Sequence, residues 1–482
     1  MAETGKIQQQ AADTTLPVRI AIGLAFIIFG GFIPAPEPLT PVGMRVVGTF
    51  IGTVFMLATI DVVWPSLLAI AALSFTPLFT TRSALAESFG NWVTVFVLLS
   101  FMMTHALNES GFTTRLTVWF MTKKFVNRSP WIFTISLWLL VMLVSLLLDP
   151  VPVVAFFLPV AYGIFKELGY EKGDGYPVMV IIGLAFSANI AFGMTPISHP
   201  IGIILMGMIE SVTGSSISIL SYMLFGIPTG FLIFVAMIAV LRLLFKPDME
   251  KFKDFDINKV LEARHPMDSR EKLTVAIFFA VVLFWLLPGL LTIFAPSAEA
   301  TKALNGAGPV IPVIFGVVLL CVVKTGGKPI FNFREASKSI TWSVIYLIAG
   351  SMILAAALNM EDVGLNKFVT QKLMPLTESL PTIMVVFLIV AMTSVLTNFS
   401  ASVPSSILIG GITLPLAHAT ASLSAPAMGV IVAFSACLAF CVPSAFASIA
   451  IIYGVEWSDP KQILKYGLIT MLITIIFTTF IG

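Results

Sequence analysis

The residues of this chain that could handle an ion are few, and most sit in or beside long apolar runs. Asp149-Pro150-Val151-Pro152 interrupts the apolar block 131–165, and the stretch from Ser400 to Ser406 interrupts the block 382–417. Two further groups are Thr195-Pro196-Ile197-Ser198-His199-Pro200 and the segment from Ser444 to Ser448. Proline lacks an N–H and bars the preceding helical turn, so each proline break forces irregular backbone. Hydroxyls and helix N-termini suit an anion. A protonated His199 would be a fixed cation; the alternative is a neutral imidazole hydrogen-bonded to a carbonyl freed by Pro196 or Pro200. Asp149 before Pro150 reads as the N-cap and first residue of a helix, the other reading being a cation or proton ligand at that tip.

The composition decides what kind of element must hold these groups. Of 482 residues, 58% are hydrophobic and 11% charged, with a mean hydropathy of +1.00, which excludes a water-soluble globular domain. Residues 1–16 are polar, and the apolar run after them ends without a small-residue cleavage site, so a multi-pass protein of the cell membrane is expected. A net charge of +2 leaves no basic surplus for nucleic acid. Cys321, Cys437 and Cys441 are odd in number and lie in apolar stretches, which argues against disulfides. No His, Asp or further Cys lies near enough in sequence to complete a metal site with Cys437 and Cys441. The chain has no phosphate-binding Gly-x-x-x-x-Gly-Lys loop, no His-Glu-x-x-His and no Gly-x-Ser-x-Gly, so ATP-driven pumping and intramembrane catalysis have no sequence support.

A bilayer core of roughly 30 Å takes about 20 apolar residues as a helix. That ruler predicts an all-α polytopic membrane protein with eleven spans, at 18–33, 42–60, 62–80, 92–107, 177–208, 219–244, 273–294, 309–323, 340–358, 426–453 and 463–481. Residues 112–125 alternate Arg115, Lys123 and Lys124 with Leu116, Trp119 and Phe120, a pattern for a helix lying in the interface. The blocks 130–165 and 381–418 are too long for one span and are read as re-entrant helical hairpins, two thin full spans each being the alternative. With the N-terminus cytoplasmic, most Lys and Arg fall in cytoplasmic loops and the C-terminus is extracytoplasmic, Lys367 and Lys372 being exceptions. The chain divides into a cytoplasmic tail (1–16), an N-terminal half (17–245), a cytoplasmic linker (246–272) and a C-terminal half (273–482).

The two halves repeat. Ala185-Phe186-Ser187-Ala188-Asn189-Ile190-Ala191-Phe192 recurs as Ala433-Phe434-Ser435-Ala436-Cys437-Leu438-Ala439-Phe440, each followed by a proline-interrupted stretch of small residues. Upstream, Trp92 with Ala106-Leu107-Asn108 is answered by Trp342 with Ala357-Leu358-Asn359, and Val151-Pro152 by Val403-Pro404. The first copy starts outside and the second inside, an inverted repeat with two broken helices, at 177–208 and 426–453, which is secondary-transporter architecture.

These residues resemble the divalent anion/sodium symporter family within the ion transporter superfamily. The resemblance implies a homodimer in the lipid bilayer that moves small di- or tricarboxylates such as succinate, malate, 2-oxoglutarate or citrate by an elevator-type motion, with the broken helices unwound at 194–202 and 442–450. It also implies a Ser-Asn-Thr triplet at each hairpin tip that touches substrate and ligates sodium. Here the first triplet position reads Asp149-Pro150-Val151, and the second reads Ser405-Ser406-Ile407 or Ala401-Ser402-Val403 according to register. The triplet positions together with the hydroxyls and helix N-termini around the breaks nominate Pro150, Val151, Thr195, Ser198, His199, Ser400, Ser402, Ser405, Ser406, Ser444 and Ser448 for substrate, with the ionisable His199 and Asp149 as candidates for charge compensation or coupling. Sodium wants several oxygen ligands, and the missing asparagines remove two. The expectation is therefore sodium-independent exchange of dicarboxylates, with no cofactor. Sodium symport, or carriage of another divalent anion such as sulfate, is the alternative. Asn189 and Asn398 read as groups that satisfy backbone near the breaks.

Overall fold

Among the described residues, 15–249, 251, 267–373, 375 and 379–482, the computed structural model is all helical apart from one ribbon, Lys324–Thr325 paired with Lys328–Pro329. Most of the expected tail and linker, at 1–14, 250 and 252–266, lies outside the described residues. Ten described helices are long and apolar enough to cross a membrane, or eleven if the pair Glu299–Ala307 and Val310–Val322, bent by 73°, is one span.

The number matches the expectation, but its members differ. Three of the ten, Pro150–Glu167, Thr382–Phe399 and Ser402–Ala419, are hairpin arms, because an 18-residue apolar arm and a spanning helix are the same object by length and composition. The expected span 62–80 holds only the 11-residue helix Trp64–Ser74, and a separate helix, Thr81–Glu87, follows it, started by a reciprocal capping box of Thr80 and Ser83. The helix expected in the interface is Phe112–Met121, opened by Gly111 at φ 82°. It is pinned by Arg115, whose guanidinium donates twice to the Glu271 carboxylate at 2.6 Å. That bidentate bond, with the coulombic field of Glu271, raises the Arg115 pKa above its ordinary value.

Each hairpin is two arms around a short turn, capped by Asp149 in the first and without a side-chain cap in the second. The first joins Pro130–Ser145 to Pro150–Glu167, and the second joins Thr382–Phe399 to Ser402–Ala419. Both broken helices are present, as Gly175–Met194 followed by Pro200–Thr213, and Ala425–Cys437 followed by Ala447–Tyr453. The second is interrupted at 438–446, about one helical turn earlier than the expected 442–450, because Asn398 captures backbone there. Every residue from Tyr176 to Met194 is buried, so this apolar run has no polar face to reveal its helical period.

Packing follows the inverted repeat. The first arm of the first hairpin lies on Gly175–Met194, and that of the second hairpin on Ala425–Cys437. The second arms pack on both repeats: Pro150–Glu167 on Gly175–Met194 and on Ala447–Tyr453, and Ser402–Ala419 on Ala425–Cys437 and on Pro200–Thr213. The helix after each broken helix, Ile219–Val240 or Pro460–Ile481, brings a glycine against the break. A Cβ on Gly226 would lie 2.6 Å from the Met194 carbonyl oxygen, and one on Gly467 would lie 2.6 Å from that of Phe440.

Gly226→Ala and Gly467→Ala must each displace backbone, at a cost of about 1–3 kcal/mol. Both are expected to lower the melting temperature of the purified protein. Gly306→Ala, in a helix where a Cβ would meet open space, should leave it unchanged or higher.

Candidate functional site

The two breaks are organised by different chemistry. At the first, Pro200 starts the second half-helix and His199 caps it, with Nδ1 accepting a 3.0 Å bond from the Ile201 N–H. An imidazole that accepts at Nδ1 carries its single proton on Nε2. This differs from both sequence readings of His199: the bond is to an N–H, not to a freed carbonyl, and a doubly protonated ring would have to give it up. Thr195 accepts from the Ile197 N–H at 2.9 Å and donates to the Leu146 carbonyl at 3.3 Å, tying the break to the first hairpin tip. Ser198 is 8% exposed, and its hydroxyl has no partner among the described residues.

The second break borrows its support. Asn398, at the end of the second hairpin's first arm, accepts from the N–H groups of Phe440 (2.7 Å) and Cys441 (3.2 Å) and donates to the carbonyls of Leu438 (3.0 Å) and Ser394 (2.8 Å). Asn189, from the first broken helix, donates to the Ala439 carbonyl at 2.6 Å and accepts from the Ser448 hydroxyl at 2.6 Å. Ser402 donates to the Ala445 carbonyl at 2.9 Å, and Tyr453 to the Cys441 carbonyl at 2.6 Å. One asparagine thus joins the hairpin to the second break, and the other joins the first broken helix to it.

Aromatic rings close the space between. His199 and Phe446 both precede the second half of a broken helix and share one backbone conformation, φ −156° with ψ 150° and 144°. Their rings meet across Phe192, whose centroid is 3.6 Å from that of His199 and 4.8 Å from that of Phe446.

The nominated residues fall into four groups. Thr195, Ser198, His199, Ser402 and Ser448 are brought to the breaks. Ser405 and Ser406 turn their hydroxyls back onto the carbonyls of Ala401 and Val403, inside their own helix. Asp149 is the N-cap of the first hairpin's second arm, with Pro150 at the first helical position and Val151 donating to Oδ1 at 2.8 Å. Ser444 is exposed, and Ser400 is half-buried at the uncapped turn before Ser402–Ala419. Among the described residues no group of three or more His, Cys, Asp or Glu could hold a metal ion.

Sequence reasoning missed three features. The Trp92 indole N–H donates to Glu210 at 2.8 Å, joining helix Trp92–Glu109 to the far end of the first broken helix. Gly226 and Gly467 were unmarked, although glycine inside an apolar helix was the available signal. Ser100 and Thr104, on Trp92–Glu109, line a cavity of about 20 Å³ with Ser198 and His199; two hydroxyls four residues apart on one helix face were the signal there.

Paired broken helices and hairpins, related by an inverted repeat and closed around hydroxyls and helix N-termini, define a multi-pass membrane transporter. The chain belongs to the citrate transporter family, CitMHS, whose profile matches residues 52–439. It is 24% identical over 358 residues to a transporter of Haemophilus influenzae, covering 73% of this chain and 72% of that one. It is 24% identical over 351 residues to the sodium-dependent dicarboxylate transporter SdcS of Staphylococcus saprophyticus, covering 69% of this chain and 65% of that protein. The crystal structure of the YdaH transporter of Alcanivorax borkumensis, described as having an unusual topology, shares the fold with a TM-score of 0.57 at 15% identity, covering 96% of each chain.

Removing the Asn398 carboxamide as Asn398→Ala strands two N–H groups and a carbonyl in the interior. The expected loss is on the order of 3 kcal/mol, visible as a fall in melting temperature. For Asp149, Asn preserves the cap acceptor while Ala does not, so Asp149→Ala should cost about 1 kcal/mol and Asp149→Asn almost nothing. A transport assay on a stable Asp149→Asn protein separates the cap from the charge: retained transport is expected, and abolished transport would assign the charge itself a role.

Proposed function

We propose that this chain is a secondary carrier of di- and tricarboxylates of the succinate, malate and 2-oxoglutarate class, and that it exchanges one for another without sodium. The substrate class is supported by the family, by the relative named a dicarboxylate transporter, and by the donor set. No Lys or Arg occurs in 130–165, 175–213 or 382–453, so an anion held there rests on neutral hydroxyls, N–H groups and helix N-termini. Such a site suits a carboxylate that exchanges its hydration for several directed bonds.

The observation that carries sodium independence is the engagement of both asparagines. Neither hairpin-tip triplet carries an asparagine, and the two asparagines near the breaks, Asn189 and Asn398, spend their side-chain oxygens on a hydroxyl and on two backbone N–H groups, which leaves few carboxamide oxygens for a sodium ion. A second reading, sodium symport, is favoured by the printed name of the staphylococcal relative. In either case the hairpins and broken helices move as an elevator within a homodimer in the cell membrane, the N-terminus cytoplasmic and the C-terminus extracytoplasmic.

The test is uptake of labelled succinate into proteoliposomes, empty or loaded with succinate or 2-oxoglutarate, with and without an inward sodium gradient. Uptake confined to loaded vesicles and indifferent to sodium is the expected result. Sodium-driven accumulation in empty vesicles would replace exchange by symport.

A further inference from the structure

Helix Trp92–Glu109 belongs to neither hairpin and to neither broken helix, yet it forms one wall of the cavity at the first break. Phe96, Ser100 and Thr104 recur every four residues and so share one face, and that face looks onto the segment from Pro196 to Pro200. Two hydroxyls in this small space, Ser100 Oγ and Ser198 Oγ, are buried without a hydrogen-bond partner among the described residues. Other buried hydroxyls of the chain also lack a partner, but Ser100 and Ser198 are the two that line this cavity together, so one occupant that accepts hydrogen bonds would pair both. A third donor borders the same space: His199 accepts at Nδ1, which leaves Nε2 as its N–H.

Three neutral donors and no cation describe the recognition of one carboxylate, with the N-terminus of the 14-residue helix Pro200–Thr213 adding its dipole. The cavity, about 20 Å³, admits a group the size of one water or one carboxylate oxygen, so it takes a single end of a longer anion. Phe96 and Phe101 supply apolar walls for the adjoining carbon chain.

We propose that Ser100 completes a carboxylate subsite with Ser198 and the His199 Nε2–H, so that one end of the dicarboxylate bridges helix Trp92–Glu109 to the first broken helix. This rests on the dicarboxylate reading above. The bridge exists only while the segment from Pro196 to Pro200 lies against Ser100 and Thr104, which makes Ser100 a determinant of affinity in this arrangement of the two bodies.

The experiment measures equilibrium binding of labelled succinate to the purified full chain, together with the KM for succinate in proteoliposomes. Ser100→Ala and Ser198→Ala should each weaken succinate about tenfold, the usual effect of deleting a hydrogen bond to a charged group. The double variant should lose less than the product of the two, because both hydroxyls serve one carboxylate. Ser100→Thr keeps the hydroxyl and should bind within about threefold of the parent, which separates loss of a donor from loss of fold. Wild-type affinity in Ser100→Ala, with intact transport by the parent protein, would overturn the subsite and leave the cavity to water. A parent protein that neither binds nor moves succinate would overturn the dicarboxylate reading itself.

Discussion

Irregular backbone inside an apolar interior is the constraint on which the rest of this structure depends. Each unpaired N–H or carbonyl there carries the full cost of lost hydration, so a helix can be broken at depth only if every freed group finds a partner. The protein meets this at two places, 195–199 and 438–446, and the polar residues of its interior are distributed accordingly. Asn189, Asn398, Thr195, Ser402 and Ser448 bond to backbone or to one another at the breaks, as do the caps His199 and Asp149 at their helix starts. At the first break the Ser198 hydroxyl stays without a partner among the described residues, as does the Ser100 hydroxyl that lines the same cavity.

The repeat is symmetric in path and asymmetric in chemistry. Both halves place a hairpin against a broken helix, and both bring a glycine from the following helix onto the break. Yet the first break is capped from within by His199 and Thr195, whereas the second is braced from outside by Asn398 and Asn189. Asn189 therefore couples the halves directly, since one end of its carboxamide bonds the Ala439 carbonyl and the other the Ser448 hydroxyl.

Apart from Asp149 at the first hairpin tip, charged side chains serve to tie elements together. Arg115 with Glu271 anchors the helix Phe112–Met121, and an ion pair joins Lys172 to Glu456. The Glu210 carboxylate is bonded by the Trp92 indole N–H, a contact between a peripheral helix and a broken one that would have to part if the two bodies slide.

The sequence by itself determined the membrane setting, the helical class, the inverted repeat, both hairpin tips and the first helix break. Apolar run length and proline position are local properties, legible without any contact. It also marked Asp149-Pro150 as a cap and Asn189 and Asn398 as backbone partners, because those residue types have few other uses beside a break. Tertiary structure decided the rest. The second break moved to 438–446 because Asn398, some 40 residues upstream, captures two N–H groups there. Ser405 and Ser406 turned inward to their own helix, since a helical serine finds a carbonyl one turn back unless something better lies across from it. Gly226, Gly467 and Ser100 acquired their roles from neighbours distant in sequence, and residue type gave no measure of that proximity.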